Sequence, residues 1–277
     1  MAALLALSGA LFWGVGDFLG GLTARRLAVL TVLAVSQAVG LAGVALWVWL
    51  ASDPFPGVTE LLPAALAGVA GLIGLGALYR GLAVGAMGIV APISAASPIV
   101  PLAVDAAQGV VPDALQWLGV GLVLAGIATL SREPSALGGQ RIAAGAGLAI
   151  VAALGFGLFF VGLDAGADES APWAVVAARS ASVTLAIVAA IFTFTSLLPP
   201  RRLLPTLVGV GVFDTGANVS VAFSTTKGAA GIVAVLSALY PVVTVVLARL
   251  VLGERLSVGR RVGGVVALAG AALVAAG

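Results

Sequence analysis

Three charged residues stand out because they lie well inside stretches that are otherwise apolar enough to cross a membrane: Asp17, Arg179 and Asp214. A charge at the middle of a bilayer costs about 3 kcal/mol on insertion scales, so it normally faces a partner or a wet cavity. A guanidinium offers two parallel donors that fit a carboxylate. We therefore expect Arg179 and Asp214 to meet on neighbouring helices, either as a structural ion pair or as a pair that a bound ligand breaks.

Asp17 stands in the segment "WGVGDFLGG", one helical turn after Trp13, so both side chains project from one face. The surrounding glycines allow close helix packing. The carboxylate is expected either to pair with Arg25 or Arg80 or to lie on a solute pathway. Gly-x-Gly-Asp also occurs in intramembrane aspartyl proteases, but the Pro-Ala-Leu segment of those enzymes is missing, so an enzyme is disfavoured.

Further polar and aromatic residues of the apolar stretches are candidates for the same pathway. Asn218 follows Asp214 by four residues and extends its helix face. Serines in membrane helices often bond their own backbone and phenylalanines often face lipid, so structural roles stay open for these. Pro98 and Pro241 are expected to kink their helices and expose carbonyls. The other candidates are Trp13, Ser36, Gln37, Tyr79, Ser94, Ser97, Phe156, Phe160, Ser237 and Tyr240.

The composition is that of a membrane protein, with 61% hydrophobic and 9% charged residues among 277. The absence of Cys and His excludes disulfides, thiol chemistry and a Cys/His zinc site, and no metal site or cofactor is expected. No Walker A sequence is present, and nucleic acid is not an expected partner. Runs of about 20 apolar residues predict ten membrane helices. They fall near 3–23, 28–51, 62–82, 88–108, 114–131, 142–163, 172–197, 204–226, 229–250 and 258–276.

The basic residues predict the orientation, because Lys and Arg are kept in cytoplasmic loops. Lys227 lies in an even-numbered loop and Arg179 within a helix. The other basic residues belong to odd-numbered loops, which predicts a cytoplasmic-membrane protein with both termini outside and a retained first helix. They are Arg25, Arg26, Arg80, Arg132, Arg141, Arg201, Arg202, Arg249, Arg255, Arg260 and Arg261.

An internal repeat appears when the chain is shifted by 143 positions. "GAMGIVAPISAASP" (85–98) then aligns with "GAAGIVAVLSALYP" (228–241), with nine of fourteen residues identical. We predict two repeats, 1–133 and 134–277. Each holds five predicted helices, an odd number, so the second must enter the membrane in the opposite sense. Such inverted repeats around a central cavity are typical of secondary transporters.

"ALFWGVGDFLGG", "GIVAPISAASPIVP" and "LGERLSVGRRVGGVVALAGAAL" resemble the EamA-type transporters of the drug/metabolite transporter superfamily. The resemblance implies an all-α protein that moves a small molecule, such as an amino acid or related amphipathic compound, outward across the membrane. A substrate anion could replace Asp214 beside Arg179, and protonation of Asp214 would couple transport to protons. A lipid flippase and a non-enzymatic membrane subunit stay open as alternatives, as does the choice between monomer and homodimer.

Overall fold

The computed structural model describes residues 1–84, 93–131, 139–253 and 257–277. Within these ranges the chain forms helices joined by turns, without strands. A single turn at Arg201–Leu203 leads into the helix that begins at Leu204. The helices are α1 (Ala2–Ala24), α2 (Val29–Ala51), α3 (Val58–Val84), α4 (Ile99–Ala107), α5 (Ala114–Ser131), α6 (Gly139–Ala167), α7 (Ala171–Phe192), α8 (Leu204–Thr225), α9 (Ala230–Ser237), α10 (Tyr240–Leu252) and α11 (Val258–Ala276).

Eight helical segments of the described residues are long and apolar enough to cross a membrane, and the shorter apolar helix Ala114–Leu130 adds to them. Their outer surface is rich in large exposed apolar side chains, for example Leu66 and Leu250, which suits lipid rather than water. The prediction of a helical, multi-pass membrane protein is confirmed. The number of ten spans stays a prediction, because the fourth, 88–108, lies partly outside the described residues.

Two further predictions from the sequence concern where a span ends and where the repeats divide. The seventh predicted span, 172–197, is too long, since α7 ends at Phe192 and Phe194 takes a left-handed conformation with φ of 51°. The predicted boundary between the repeats, at 133 and 134, lies outside the described residues. Arg132 and Arg255, which contribute to the predicted orientation, also lie outside the described residues.

The predicted ninth span is interrupted where Pro241 stands. Helix α9 ends at Ser237, and α10 begins at Tyr240 with the proline in its first turn. Proline has no N–H to donate and blocks the preceding turn, which accounts for the break. Pro98, its counterpart at a shift of 143, immediately precedes the first residue of α4. Both prolines therefore stand at the start of a short helix, in matching places of the chain.

Several helix contacts occur twice, at positions related by the same shift of 143. A methyl group built on Gly14 in α1 would lie 2.8 Å from the carbonyl oxygen of Tyr240. One built on Gly157 in α6 would lie 2.8 Å from the carbonyl oxygen of Ser97. In the same way α1 packs along α8, and α6 packs along α3. Each of these four helices thus contacts the half that contains its counterpart.

Helices α5 and α11 pack on each other through glycines. Methyl groups built on Gly119 and Gly126 would each lie 2.7 Å from a carbonyl oxygen, that of Gly270 and that of Gly263 respectively. Small residues permit such close backbone approach, which drives helix association in membranes. Because the earlier residue of α5 meets the later residue of α11, the two helices run antiparallel.

Candidate functional site

A cavity of about 300 Å³ lies between α1, α2, α3, α6, α7 and α8. Ser97, Ala238 and Tyr240 also reach it from the interrupted segments around α4, α9 and α10. Many of the residues predicted from the sequence meet in its wall. They are Trp13, Asp17, Gln37, Ser97, Phe156, Phe160, Arg179, Asp214, Asn218 and Tyr240.

Arg179 is the centre of a polar network that joins α2, α7 and α8. Its Nη2 lies 2.7 Å from Oδ2 of Asp214, and its Nη1 donates a hydrogen bond of 2.6 Å to Oε1 of Gln37. The hydroxyl of Ser182 donates to the same Gln37 oxygen at 2.6 Å. The Arg179 side chain is 4% exposed and that of Asp214 is 29% exposed. The guanidinium is therefore packed among the helices, while the carboxylate is open to the cavity.

Trp13 joins four helices at one end of the cavity. Its Nε1 donates a hydrogen bond of 3.1 Å to Oδ1 of Asn218 in α8. Its ring meets Phe160 of α6 edge-on at 5.8 Å and Tyr240 of α10 at 6.3 Å. Such edge-to-face pairs are favourable beyond the area they bury. Together they form an aromatic cluster, which we define as Trp13, Phe159, Phe160 and Tyr240.

The bundle is tightly packed on the N-terminal side of Trp13. A methyl group on Gly9 would lie 2.9 Å from a methyl of Val221, and the hydroxyl of Ser237 donates to the Ala6 carbonyl at 3.4 Å. In the other direction Gly21, near the end of α1, lines the cavity, as does Leu78 of α3. The cavity thus extends from the aromatic cluster toward the C-terminal ends of α1 and α3.

Asp17 is exposed to the cavity and lies within electrostatic range of Asp214 and Tyr240. The preceding residue, Gly16, lies against the backbone of Asp214 in α8. A methyl group built on Gly16 would lie 3.5 Å from the backbone nitrogen of Asp214. The expected ion pair with Arg25 or Arg80 is not found among the described residues. Asp17 therefore stands in the cavity wall without a cation of its own in the described part of the chain.

The part of the lining that α3 and α6 contribute is apolar. It is built from leucines of α3 and phenylalanines of α6: Leu72, Leu75, Leu78, Phe156, Phe159 and Phe160. Under the shift of 143, Asp17 corresponds to Phe160 and Asn218 to Leu75, so polar residues on one side have apolar counterparts on the other. The cavity is therefore two-sided, with polar residues on one part of its lining and apolar residues on the other.

Three predicted serines do not line the cavity. Ser36 is buried and donates to the Leu33 carbonyl at 3.2 Å, and Ser237 is fully buried against α1. Ser94 is buried as well. The backbone bonding of Ser36 is the structural role common for such residues. The side chain of Tyr79 lies outside the described residues.

Sequence reasoning missed Ser182 and the leucine wall. Ser182 lies one turn after Arg179, a spacing that places both on one helix face, so this residue carried a signal. The leucines carried none, because a leucine that faces a cavity and one that faces lipid look alike in sequence.

Comparison with known proteins identifies the fold and the family. A crystal structure described only as that of a protein superposes with a TM-score of 0.82, over 98% of this chain and 95% of that one, at 19% identity. At that identity the likeness shows the fold alone. A comparison with functionally curated proteins finds no match.

The model of the EamA-like transporter family matches the chain twice, over residues 1–132 and 143–276. The two matches cover nearly the whole sequence and agree with its internal repeat. They confirm the resemblance seen in the motifs. The chain therefore belongs to the EamA-like transporter family of the drug/metabolite transporter superfamily.

Proposed function

We propose that this protein is a secondary transporter that exports a small amphipathic metabolite, such as an amino acid, by alternating access. The observation that carries the proposal is the two-sided cavity, with charged groups on α1, α7 and α8 and an apolar wall on α3 and α6. A pocket of mostly apolar lining with a few placed polar groups suits a small solute with one charged and one apolar end.

Alternating access requires two halves that can exchange conformations, and the paired contacts support an inverted repeat. The fifth helices of the two halves, α5 and α11, run antiparallel and meet through matched glycines. Inverted halves related by an axis in the membrane plane let a central site open to either side. We place both termini outside the cytoplasmic membrane, so the cavity extends toward the cytoplasm and the aromatic cluster closes the outer side.

Asp214 is the proposed coupling residue. It is the partner of Arg179, it faces the cavity, and among the described lining residues the other charged group near it is Asp17 of α1. Protonation would remove the Asp214 charge and weaken its hold on Arg179. The release of that contact between α7 and α8 would favour the movement of one half against the other, driven by the proton gradient.

Purified protein in liposomes with an imposed pH gradient tests the proposal. The vesicles receive a mixed pool of labelled metabolites, and uptake is followed by mass spectrometry. We expect gradient-dependent accumulation of one amphipathic class, loss of the gradient dependence in Asp214→Asn, and no change in Glu169→Gln, which alters an exposed carboxylate of the connection after α6. Accumulation in no class by folded protein would contradict secondary transport, and movement of labelled lipid between leaflets would favour a flippase instead.

A further inference from the structure

The charges of the cavity lining do not balance among the described residues. Its lining contains the carboxylates of Asp17 and Asp214 and the guanidinium of Arg179. Arg179 and Asp214 neutralise each other at 2.7 Å, which leaves Asp17. The neighbouring segment 85–92, which is outside the described residues, contains no charged side chain in its sequence. A nearby positive charge stabilises the ionised form of a carboxylate in such a cavity, because that form is less well hydrated there than in bulk water.

Arg179 is poorly placed to receive a negatively charged solute. Its two terminal nitrogens already face Asp214 and Gln37, and the side chain is 4% exposed. An anion would have to displace Asp214 from a close ion pair and would also be repelled by Asp17. The geometry therefore disfavours recognition of the solute by its negative end.

The rings around Asp17 suit a cation. Trp13 lies one turn before Asp17 in α1, and Tyr240 lies 6.3 Å from Trp13, ring centre to ring centre, and within electrostatic range of Asp17. Aromatic faces attract ammonium groups, and Trp does so best. Beyond this cluster, Phe156 of α6 and the leucines of α3 offer an apolar surface to the rest of the solute. A carboxylate and aromatic rings thus border the same part of one cavity.

We propose that the site recognises its solute as an ammonium cation, with Asp17 as the counter-charge, the aromatic cluster around the cationic end and the apolar wall around an aryl or alkyl body. The inference rests on the proposed function and narrows its substrate class. A carboxylate on the solute is dispensable, so simple amines bind as well as amino acids do.

Three probes with the same phenyl body separate the charges: 2-phenylethylamine is a cation, phenylalanine a zwitterion and 3-phenylpropionate an anion. Their binding to the purified, full-length protein in nanodiscs is measured by calorimetry without any ion gradient. We expect the amine to bind at least as tightly as the zwitterion, and the anion at least about tenfold more weakly. A series of amines from ethylamine to tryptamine covers the size of the body.

Asp17→Asn is expected to weaken amine binding by about tenfold or more, whereas Asp17→Glu, which keeps the charge, and the exposed control Glu169→Gln keep it within about threefold. Circular dichroism establishes that each variant is folded. Equal or tighter binding of 3-phenylpropionate, unchanged amine binding by folded Asp17→Asn, or binding of no amine in the series would each overturn the inference. Binding is measured without transport. Amine binding combined with no uptake into liposomes would therefore contradict the proposed transport function and leave the inference about amine recognition standing.

Discussion

Gln37 of α2 holds Arg179 of α7 through a hydrogen bond of 2.6 Å, and both residues are buried. The same Gln37 oxygen accepts the hydroxyl of Ser182, so one amide serves two donors. We expect Gln37→Leu to leave both donors without this acceptor and to lower the free energy of unfolding by about 1–3 kcal/mol. Thermal unfolding in detergent measures the effect.

The matched control for that variant is Gln108→Leu, which alters an exposed residue at the end of α4. It should unfold as the unchanged protein does. Equal stability of Gln37→Leu and Gln108→Leu would mean that water or a rearranged side chain replaces the Gln37 oxygen.

The Arg179–Asp214 pair is expected to be asymmetric in stability. Removal of Asp214 leaves a charge that is 4% exposed, whereas removal of Arg179 leaves one that is 29% exposed in the cavity. Breaking a buried pair costs about 3–5 kcal/mol. Asp214→Ala should lower the free energy of unfolding by nearly that amount. Arg179→Ala should lower it by less, because the charge that remains is more exposed.

A double-mutant cycle isolates the interaction from other effects of the two substitutions. The variant with both changes should be more stable than the sum of the single effects predicts, by at least about 1 kcal/mol. Additive effects would show that the 2.7 Å contact contributes no net coupling in solution.

Packing between α5 and α11 offers a sharp steric test. A methyl group on Gly126 would meet the backbone of Ala267 and the carbonyl oxygen of Gly263, whereas one on Gly121 meets nothing within 4 Å. Gly126→Val should therefore lower the free energy of unfolding by at least about 1–3 kcal/mol, whereas Gly121→Val should leave it nearly unchanged. Size-exclusion chromatography after heating compares the two. A tolerated Gly126→Val would contradict the close contact.

The orientation can be tested with single cysteines, since the chain contains no natural one. Glu169 lies in the connection between α6 and α7, and Leu198 lies in the connection between α7 and α8, where it is 89% exposed. In intact cells a membrane-impermeant maleimide should label Glu169→Cys and spare Leu198→Cys. The reverse pattern would place the termini in the cytoplasm.

A cysteine in place of Ala238, which lines the cavity, reports on the aromatic cluster. We expect it to be shielded from the outside while Trp13 joins α6, α8 and α10. Trp13→Ala removes the ring contacts and the hydrogen bond to Asn218, so labelling of the cysteine from outside should rise severalfold. Labelling that is equally fast with and without Trp13 would show that another barrier closes that side.

The sequence predicted the helical membrane fold because its apolar runs match the thickness of a bilayer, and it predicted the family because whole motifs are retained. It also brought together Arg179, Asp214 and Asn218, whose polarity is costly in a membrane and whose spacing sets a common face. It could not predict that Gln37 receives the guanidinium, since that contact joins residues 142 positions apart. Nor could it distinguish the serines that face backbone carbonyls, such as Ser36 and Ser237, from Ser97, which faces the cavity.

The pairing of contacts at a shift of 143 has an energetic consequence. If the two halves exchange conformations as proposed, each duplicated contact is replaced by its counterpart, and the packing free energy hardly changes. The resting balance between the two states then depends on contacts that have no counterpart, for example Trp13 with Asn218 and the network of Gln37, Arg179 and Asp214. A difference of about 1.4 kcal/mol in such a contact shifts the populations tenfold. A single polar substitution would thereby change which side of the membrane the empty carrier faces, without touching the solute.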